Sequence, residues 1–366
     1  MSRATSLYLD LMRFAAAMAV FFFHASQRYI SGGLFWQFSG MGQEAVVVFF
    51  VLSGFVIAYS CDVKHGDLSD YLVARLARLW SVVLPALLLT VTLDAIGRGW
   101  MTDARPLYSA VAPPVPLIGL QTGLNALFVS EIWYLEILPG TDLAFWSLPF
   151  EFWYYIAFGV GWFTQGRARA ILLLLIVLIA GPRIALLAPA WLIGAVVYYV
   201  TRHGAIRPLP GCCLWLGSCA ALVLFKQFER PLRQALETVL LGGADVFADQ
   251  VRMFWPLSYL LACIIAANII GFNAISHWFG SALRRVAKPI RFLSSLTFAI
   301  YLFHQPLVMF FATVAGRQEV TAATTVAIFV GTPAVIVPLS LACDVFKRWL
   351  ARGLTRASAA MAFGQA

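Results

Sequence analysis

Residues 44–60 read Glu44-Ala-Val-Val-Val-Phe-Phe-Val-Leu-Ser53-Gly54-Phe55-Val-Ile-Ala-Tyr-Ser60, an apolar run whose one ionisable side chain sits at its edge. An α-helix needs about 20 such residues, with a range of roughly 17–25, to cross the hydrocarbon of a bilayer. Runs of the same kind recur at 8–27, 79–97, 145–163, 170–182, 186–200, 211–226, 254–274, 291–313 and 322–344, which makes ten predicted spans. The composition agrees: 61% of the 366 residues are hydrophobic and 12% charged, and the mean hydropathy is +0.83. An ordinary soluble domain has roughly 25% charged residues, and a compact aqueous fold could not hide this much apolar side chain. Conventional soluble enzymes and disordered chains are both excluded. The sequence predicts an all-α, polytopic transmembrane helical bundle.

Two stretches depart from the simple pattern. The 170–182 run is short, so a tilted span and a break at Pro182 are both compatible with it. Pro113, Pro114 and Pro116 oppose a straight helix, so 99–144 reads as a long exposed loop with a short amphipathic or re-entrant element. Residues 1–350 form one predicted integral membrane domain and 351–366 a short cytoplasmic tail. No internal period, P-loop or dinucleotide fingerprint interrupts it. Arg13 interrupts the first apolar run, and no small-x-small cleavage site follows it, so that run reads as a retained helix.

The net charge of +9 comes from 26 Lys and Arg against 17 Asp and Glu. With the N-terminus inside, Arg3, Lys64, Arg75, Arg78, Arg167, Arg169, Arg202, Arg207, Arg284, Arg285, Lys288, Arg291, Lys347, Arg348, Arg352 and Arg356 all fall on one side. Glu131, Glu136, Asp142, Glu229, Glu237, Asp245 and Asp249 fall on the other. This is the positive-inside pattern, so both termini are predicted to be cytoplasmic and nucleic acid is not an expected partner. The 6 cysteines form no CxxC or Cys/His framework, and no metal is expected.

Ionisable residues inside predicted spans are costly in lipid and mark protein interiors or polar paths. Arg13 and His24 lie in the first span, eleven positions and about 16 Å apart at 1.5 Å per residue, close to three turns and so on one face. Glu151 starts the 145–163 span at a depth similar to that of His24. A carboxylate there can hold one imidazole nitrogen while the other acts as general base. Snorkelling of Arg13, packing of His24 and a structural pair at Glu151 are the competing readings. Arg75 and Arg78, one turn apart before the third span, form a basic face suited to phosphate, or equally to anionic lipid or topology anchoring. His304 precedes Pro306 inside the ninth span and reads as a second site wall or a packing joint. Ser53 beside Gly54 offers a small polar step, but no GxSxG elbow makes it a nucleophile. Tyr154 and Tyr301 are further pocket candidates; Tyr154 belongs equally well to an interfacial aromatic belt with Trp146, Trp153 and Tyr155. His65, His203 and His277 carry no assigned chemistry.

Taken together, these segments resemble the membrane-bound acyltransferase 3 family of bacterial O-acyltransferases. The resemblance is carried by Leu9-Asp10-Leu-Met-Arg13 with His24, by Phe49-Phe-Val-Leu-Ser53-Gly54-Phe55 and by Arg75-Leu-Ala-Arg78. Trp146-Ser147-Leu-Pro-Phe-Glu151-Phe-Trp-Tyr154-Tyr155 and Ser295-Leu-Thr-Phe-Ala-Ile-Tyr301-Leu-Phe-His304-Gln-Pro306 complete it. It implies transfer of an acyl group, commonly acetyl from acetyl-CoA, to a hydroxyl of a carbohydrate or glycolipid acceptor at the bacterial inner membrane. It further implies His24 as the catalytic histidine, Arg13 as its companion, Arg75 and Arg78 as the cytoplasmic Arg pair, and Glu151 as the acidic position. Membrane lipid is the remaining expected partner. A secondary transporter of a sugar or small anion would also use intramembrane Arg13, His24, Glu151 and His304.

Overall fold

A computed structural model describes residues 1–64, 66–100, 107–108, 117–204, 206–241, 255–316 and 319–363. Pro113, Pro114, Pro116, His65, Asp245 and Asp249 lie outside the described residues. The described residues are mostly helical, with turns between and one longer connection over 127–142. In chain order the helices are α1 Arg3–Ala25, α2 Arg28–Ser31, α3 Gly42–Val63, α4 Leu68–Trp100 and α5 Ile118–Ala126. They continue with α6 Ser147–Phe163, α7 Gly166–Ala180, α8 Pro182–His203, α9 Pro208–Leu241 and α10 Trp255–Arg285. The last four are α11 Ala287–Ser295, α12 Thr297–Ala315, α13 Ala322–Val326 and α14 Thr332–Phe363. Among the described residues eight helical stretches are long and apolar enough to cross a membrane.

Eight of the ten predicted spans coincide with these stretches, and the other two are shorter helices. The 145–163 and 170–182 segments are helices, α6 and α7, but of 17 and 15 residues. Thr164 ends α6 in an extended conformation. Gly181 takes φ 82°, and Pro182, which has no N–H to leave unsatisfied, begins α8 at once. The break expected at Pro182 is thus present. The short element expected within 99–144 is α5, and residues 351–363, read as a tail, continue α14. The 291–313 segment is broken at Leu296 between α11 and α12, and the 322–344 segment contains a π-helical turn, Ala327–Gly331, between α13 and α14.

The helices form two compact units, and α1 contributes to both. The first contains residues 1–16, 43–64 and 179–294. Here α10 packs against α8 and α9. The early turns of α1 bring polar side chains to this unit: Tyr8 Oη donates to Asn268 at 2.5 Å, Trp215 Nε1 donates to Tyr8 at 3.1 Å, and Thr5 donates to Asn273 at 2.9 Å. Asp10 accepts from Arg291 at 2.8 Å and from Ser294 at 3.1 Å. The crossing of α3 and α8 depends on two glycines. A Cβ on Gly54 would collide with the Trp191 carbonyl, and one on Gly194 with the Val51 carbonyl. Small residues let helix backbones meet where lipid offers no hydrophobic gain for association.

The second unit contains residues 17–42, 65–178 and 295–366. In it α4, α12 and α14 pack against one another, and α6 packs on α4. Aromatic donors fasten its segments to backbone oxygens: Tyr71 Oη to Tyr155 at 3.0 Å, Trp80 Nε1 to Ala126 at 2.9 Å and Trp153 Nε1 to Phe128 at 3.1 Å. Much of α7 presents exposed apolar side chains, including Ile171, Leu174, Val177 and Leu178, as a lipid-facing helix would.

The α3–α8 crossing yields a direct test. Overpacking a filled interior costs about 1–3 kcal/mol, and here the opposing atom is backbone. Gly54→Leu and Gly194→Leu are expected to lower the thermal midpoint of detergent-solubilised protein, read by size exclusion after heating. Gly217→Leu, where a side chain meets open space, leaves it unchanged. A wild-type midpoint for both crossing variants would contradict the close approach.

Candidate functional site

The polar residues that the sequence marks out are divided between the two units. His24, Glu151, Tyr154, Tyr301, His304, Arg75 and Arg78 belong to the second unit, whereas Arg13 and Ser53 belong to the first. Arg13 lies 3.8 Å from Asp10, a local partner on its own helix that the sequence reading did not assign. Ser53 is half-buried on α3 beside the Gly54 crossing.

His24 stands in the last turn of α1 and is half-buried. Its neighbour is His304, with ring centroids 5.2 Å apart and planes inclined at 44°. His304 is fully buried on α12. Its Nδ1 lies 2.8 Å from the Ile300 carbonyl, one turn back. A carbonyl can only accept, so Nδ1 carries the hydrogen and the neutral ring presents Nε2 as a lone pair. That Nε2 is buried without a hydrogen-bond partner. Aromatic rings enclose the pair. Phe23 packs edge-on to His24 at 4.7 Å, and Phe21 packs on His304 at 6.3 Å. Phe329, carried on the π-helical turn, meets Phe21, Phe22 and Phe35 at 5.9, 6.0 and 5.3 Å. π-helical turns are rare and often occur at functional sites, because the extra residue redirects side chains.

Tyr301 lies one turn before His304 and shares a buried 2.7 Å hydrogen bond with Ser147, the first residue of α6. Asp142 and Glu151 both act electrostatically on Tyr301. Glu151 is half-buried and accepts a short hydrogen bond from Tyr155, one turn along α6. The Tyr155 carbonyl in turn accepts from Tyr71, over whose ring Arg75 lies at 5.8 Å. A run of contacts thus leads from the Arg75 side chain to the Glu151 carboxylate. Tyr154 is buried and packs edge-on to Phe150 at 6.5 Å. Arg75 and Arg78 are half-buried on α4.

Two features of this region were missed in the sequence. Ser147 was legible only as part of a segment resemblance. Asp142 was read as an exposed loop acid, yet it is fully buried, and neither carboxylate oxygen has a hydrogen-bond partner of normal geometry. The loop that carries it is pinned by Asp94, which accepts from the Thr141 amide at 2.9 Å and from the Thr141 hydroxyl at 2.6 Å. Burial pushes the Asp142 carboxyl well above its usual range, neighbouring Asp94 pushes it the same way, and the Ala144 amide opposes them. Among the described residues no group of three or more His, Cys, Asp and Glu side chains could hold a metal ion.

An acyltransferase-domain family matches residues 6–343. The chain is 26% identical over 317 residues to the acyltransferase MdmB of Streptomyces mycarofaciens, covering 80% of this chain and 76% of that protein. It is 27% identical over 179 residues to an O-acetyl transferase of Shigella phage Sf6, covering 47% of this chain and 50% of that protein. It is 24% identical over 326 residues to YrhL of Bacillus subtilis (strain 168), covering 82% of this chain and 48% of that protein. The matches therefore span about half the length of the second and third relatives. No solved structure matches the chain.

The buried acid gives a pH prediction with a definite sign. A carboxyl whose folded pKa is raised contributes stability below its unfolded pKa, and that contribution is lost as pH rises through the folded value. Asp142→Asn is therefore expected to raise the thermal midpoint at neutral pH, with the gain shrinking as pH falls towards the ordinary Asp range. A gain that grows on acidification would reverse the assignment.

Proposed function

The chain belongs to the acyltransferase-domain family, and on that premise we propose that it moves an acyl group, acetyl from acetyl-CoA, onto a hydroxyl of an exported or cell-surface carbohydrate or glycolipid at the bacterial inner membrane. The observation that carries the reading is the enclosed His24–His304 pair, with one imidazole fully buried and its Nε2 left unbonded. Family membership is the reason for placing group transfer ahead of a sugar or anion transporter.

His24 is assigned the general base. As the acceptor oxygen bonds to the thioester carbonyl carbon, its proton passes to His24. Collapse of the tetrahedral adduct breaks the carbon–sulfur bond, and His24 returns the proton to the CoA sulfur. His304 orients the His24 ring: its Nδ1–H is committed to Ile300, so Nε2 is available to accept an imidazole N–H. The buried Ser147–Tyr301 hydroxyl pair, one turn from His304, supplies one O–H donor to the oxyanion, the other hydrogen being used within the pair. Glu151 supplies the negative charge of the site and acts through Tyr155 and Tyr301. The donor's phosphates are assigned to Arg75 and Arg78 by charge-assisted hydrogen bonding. Tyr154 is assigned to the pocket wall. No step in this scheme calls for a metal.

The test is mass spectrometry of acyl groups on envelope glycans from a deletion strain complemented with equally abundant variants. One defined acyl group is expected to return with wild type and to fall about 10²–10⁴-fold with His24→Ala, the usual contribution of a general base. His304→Ala lowers the rate while leaving donor binding intact. Full rescue by His24→Ala would remove the base assignment, and substrate flux in vesicles without CoA would favour the transporter.

A further inference from the structure

The basic run Lys347, Arg348, Arg352 and Arg356 has so far served only as a topology signal. In the folded second unit its helix, α14, packs along α4, and Ser69 and Ser358 share a 2.6 Å hydrogen bond at one end of that contact. From this point both helices climb in the same direction, α4 with increasing residue number and α14 with decreasing. Arg78 stands nine residues from Ser69, and Lys347 eleven from Ser358. At 1.5 Å per residue these rises are about 14 and 16 Å, so the two cations stand at nearly the same level.

Their faces agree as well. Ile336, Ser340 and Cys343 form the buried stripe of α14, and Lys347 continues it at the next four-residue step. Its side chain is exposed, as a lysine stem on a packed face with its ammonium at the rim would be. Arg78 and Arg75 both act on the Lys347 ammonium, with Asp344 as the one acid that opposes them. Among the described residues neither Arg78 nor Lys347 forms a salt bridge. Arg78 and Lys347, drawn together beside Arg75 by helix packing, repel one another, and an anion between them would relieve that cost. Phosphate fits, because its several oxygens can accept from two guanidinium forks and one ammonium together.

We propose that Lys347, carried on the last helix, completes with Arg75 and Arg78 a three-cation seat for the phosphate groups of the acyl-CoA donor. The inference rests on the acyl-CoA reading above but names a residue that this reading does not use. It gives α14 a part in donor binding, and it makes the seat depend on the α4–α14 contact.

The test uses the full chain in nanodiscs of phosphatidylcholine, with CoA binding measured by calorimetry across a salt series. Lys347→Gln is expected to weaken CoA binding about tenfold, the value of one charge-assisted hydrogen bond, and to flatten the salt dependence. Lys347→Arg restores most of the affinity, and an acyl-pantetheine donor, which lacks the nucleotide, is used equally by all forms. Wild-type CoA affinity in a Lys347→Gln protein of unchanged thermal midpoint overturns the proposal and leaves the acyltransferase reading standing. Absence of CoA binding by the wild type overturns both. Phosphatidylglycerol that competes with CoA in the wild type but not in Lys347→Gln supports the seat as a phosphate site. If phosphatidylglycerol retention depends on Lys347 and CoA affinity does not, the seat belongs to lipid and the proposal falls.

Discussion

Inside a bilayer no water is available to a stranded backbone N–H or C=O, and that constraint underlies every element of this structure. It explains why the described residues are helical and why side-chain donors are used so heavily between segments. A backbone carbonyl already bonded in a helix keeps a second lone pair. Tyr71 reaches such an oxygen on Tyr155, while Trp80 and Trp153 reach the carbonyls of Ala126, at the end of α5, and of Phe128, in the turn after it, so the aromatic residues fasten the second unit while presenting apolar surface around their bonds. In the first unit the same role falls to Tyr8, Trp215 and Asn268.

Polar side chains of the second unit gather where its helices are irregular. His24 occupies the closing turn of α1, Ser147 opens α6, and Phe329 rides on a π-helical turn. Helix ends leave backbone groups without intrahelical partners and free side chains from the regular spiral, so polar groups can converge without breaking a span. His304 is the exception, deep in α12, and its Nδ1 is accommodated by a carbonyl of its own helix. That bond fixes the tautomer, which in turn makes the second imidazole nitrogen an acceptor rather than a donor.

Opposite charges are handled differently in the second unit. Asp142 and Glu151 are set near the hydroxyl pair of Tyr301 and Ser147, whereas Arg75, Arg78 and Lys347 converge where α4 meets α14. The run Arg75–Tyr71–Tyr155–Glu151 connects the two groups through one ring contact and two hydrogen bonds.

The sequence by itself determined that this is a helical membrane protein, because hydropathy and span length depend only on local composition. It also singled out His24, Glu151, Tyr301, His304 and the Arg75–Arg78 pair, because ionisable or polar residues amid apolar runs stand out one helix at a time. The ends of the two shorter segments were legible too, since α6 and α7 close at Thr164 and Gly181, beside the ends that hydropathy predicts. Only the tertiary structure decided that His24 meets His304, that Tyr301 bonds Ser147, that Asp142 is buried and that Lys347 faces the Arg pair. Each of these joins residues distant in the chain, and the angle and register at which helices pack are fixed by contacts that no single segment contains.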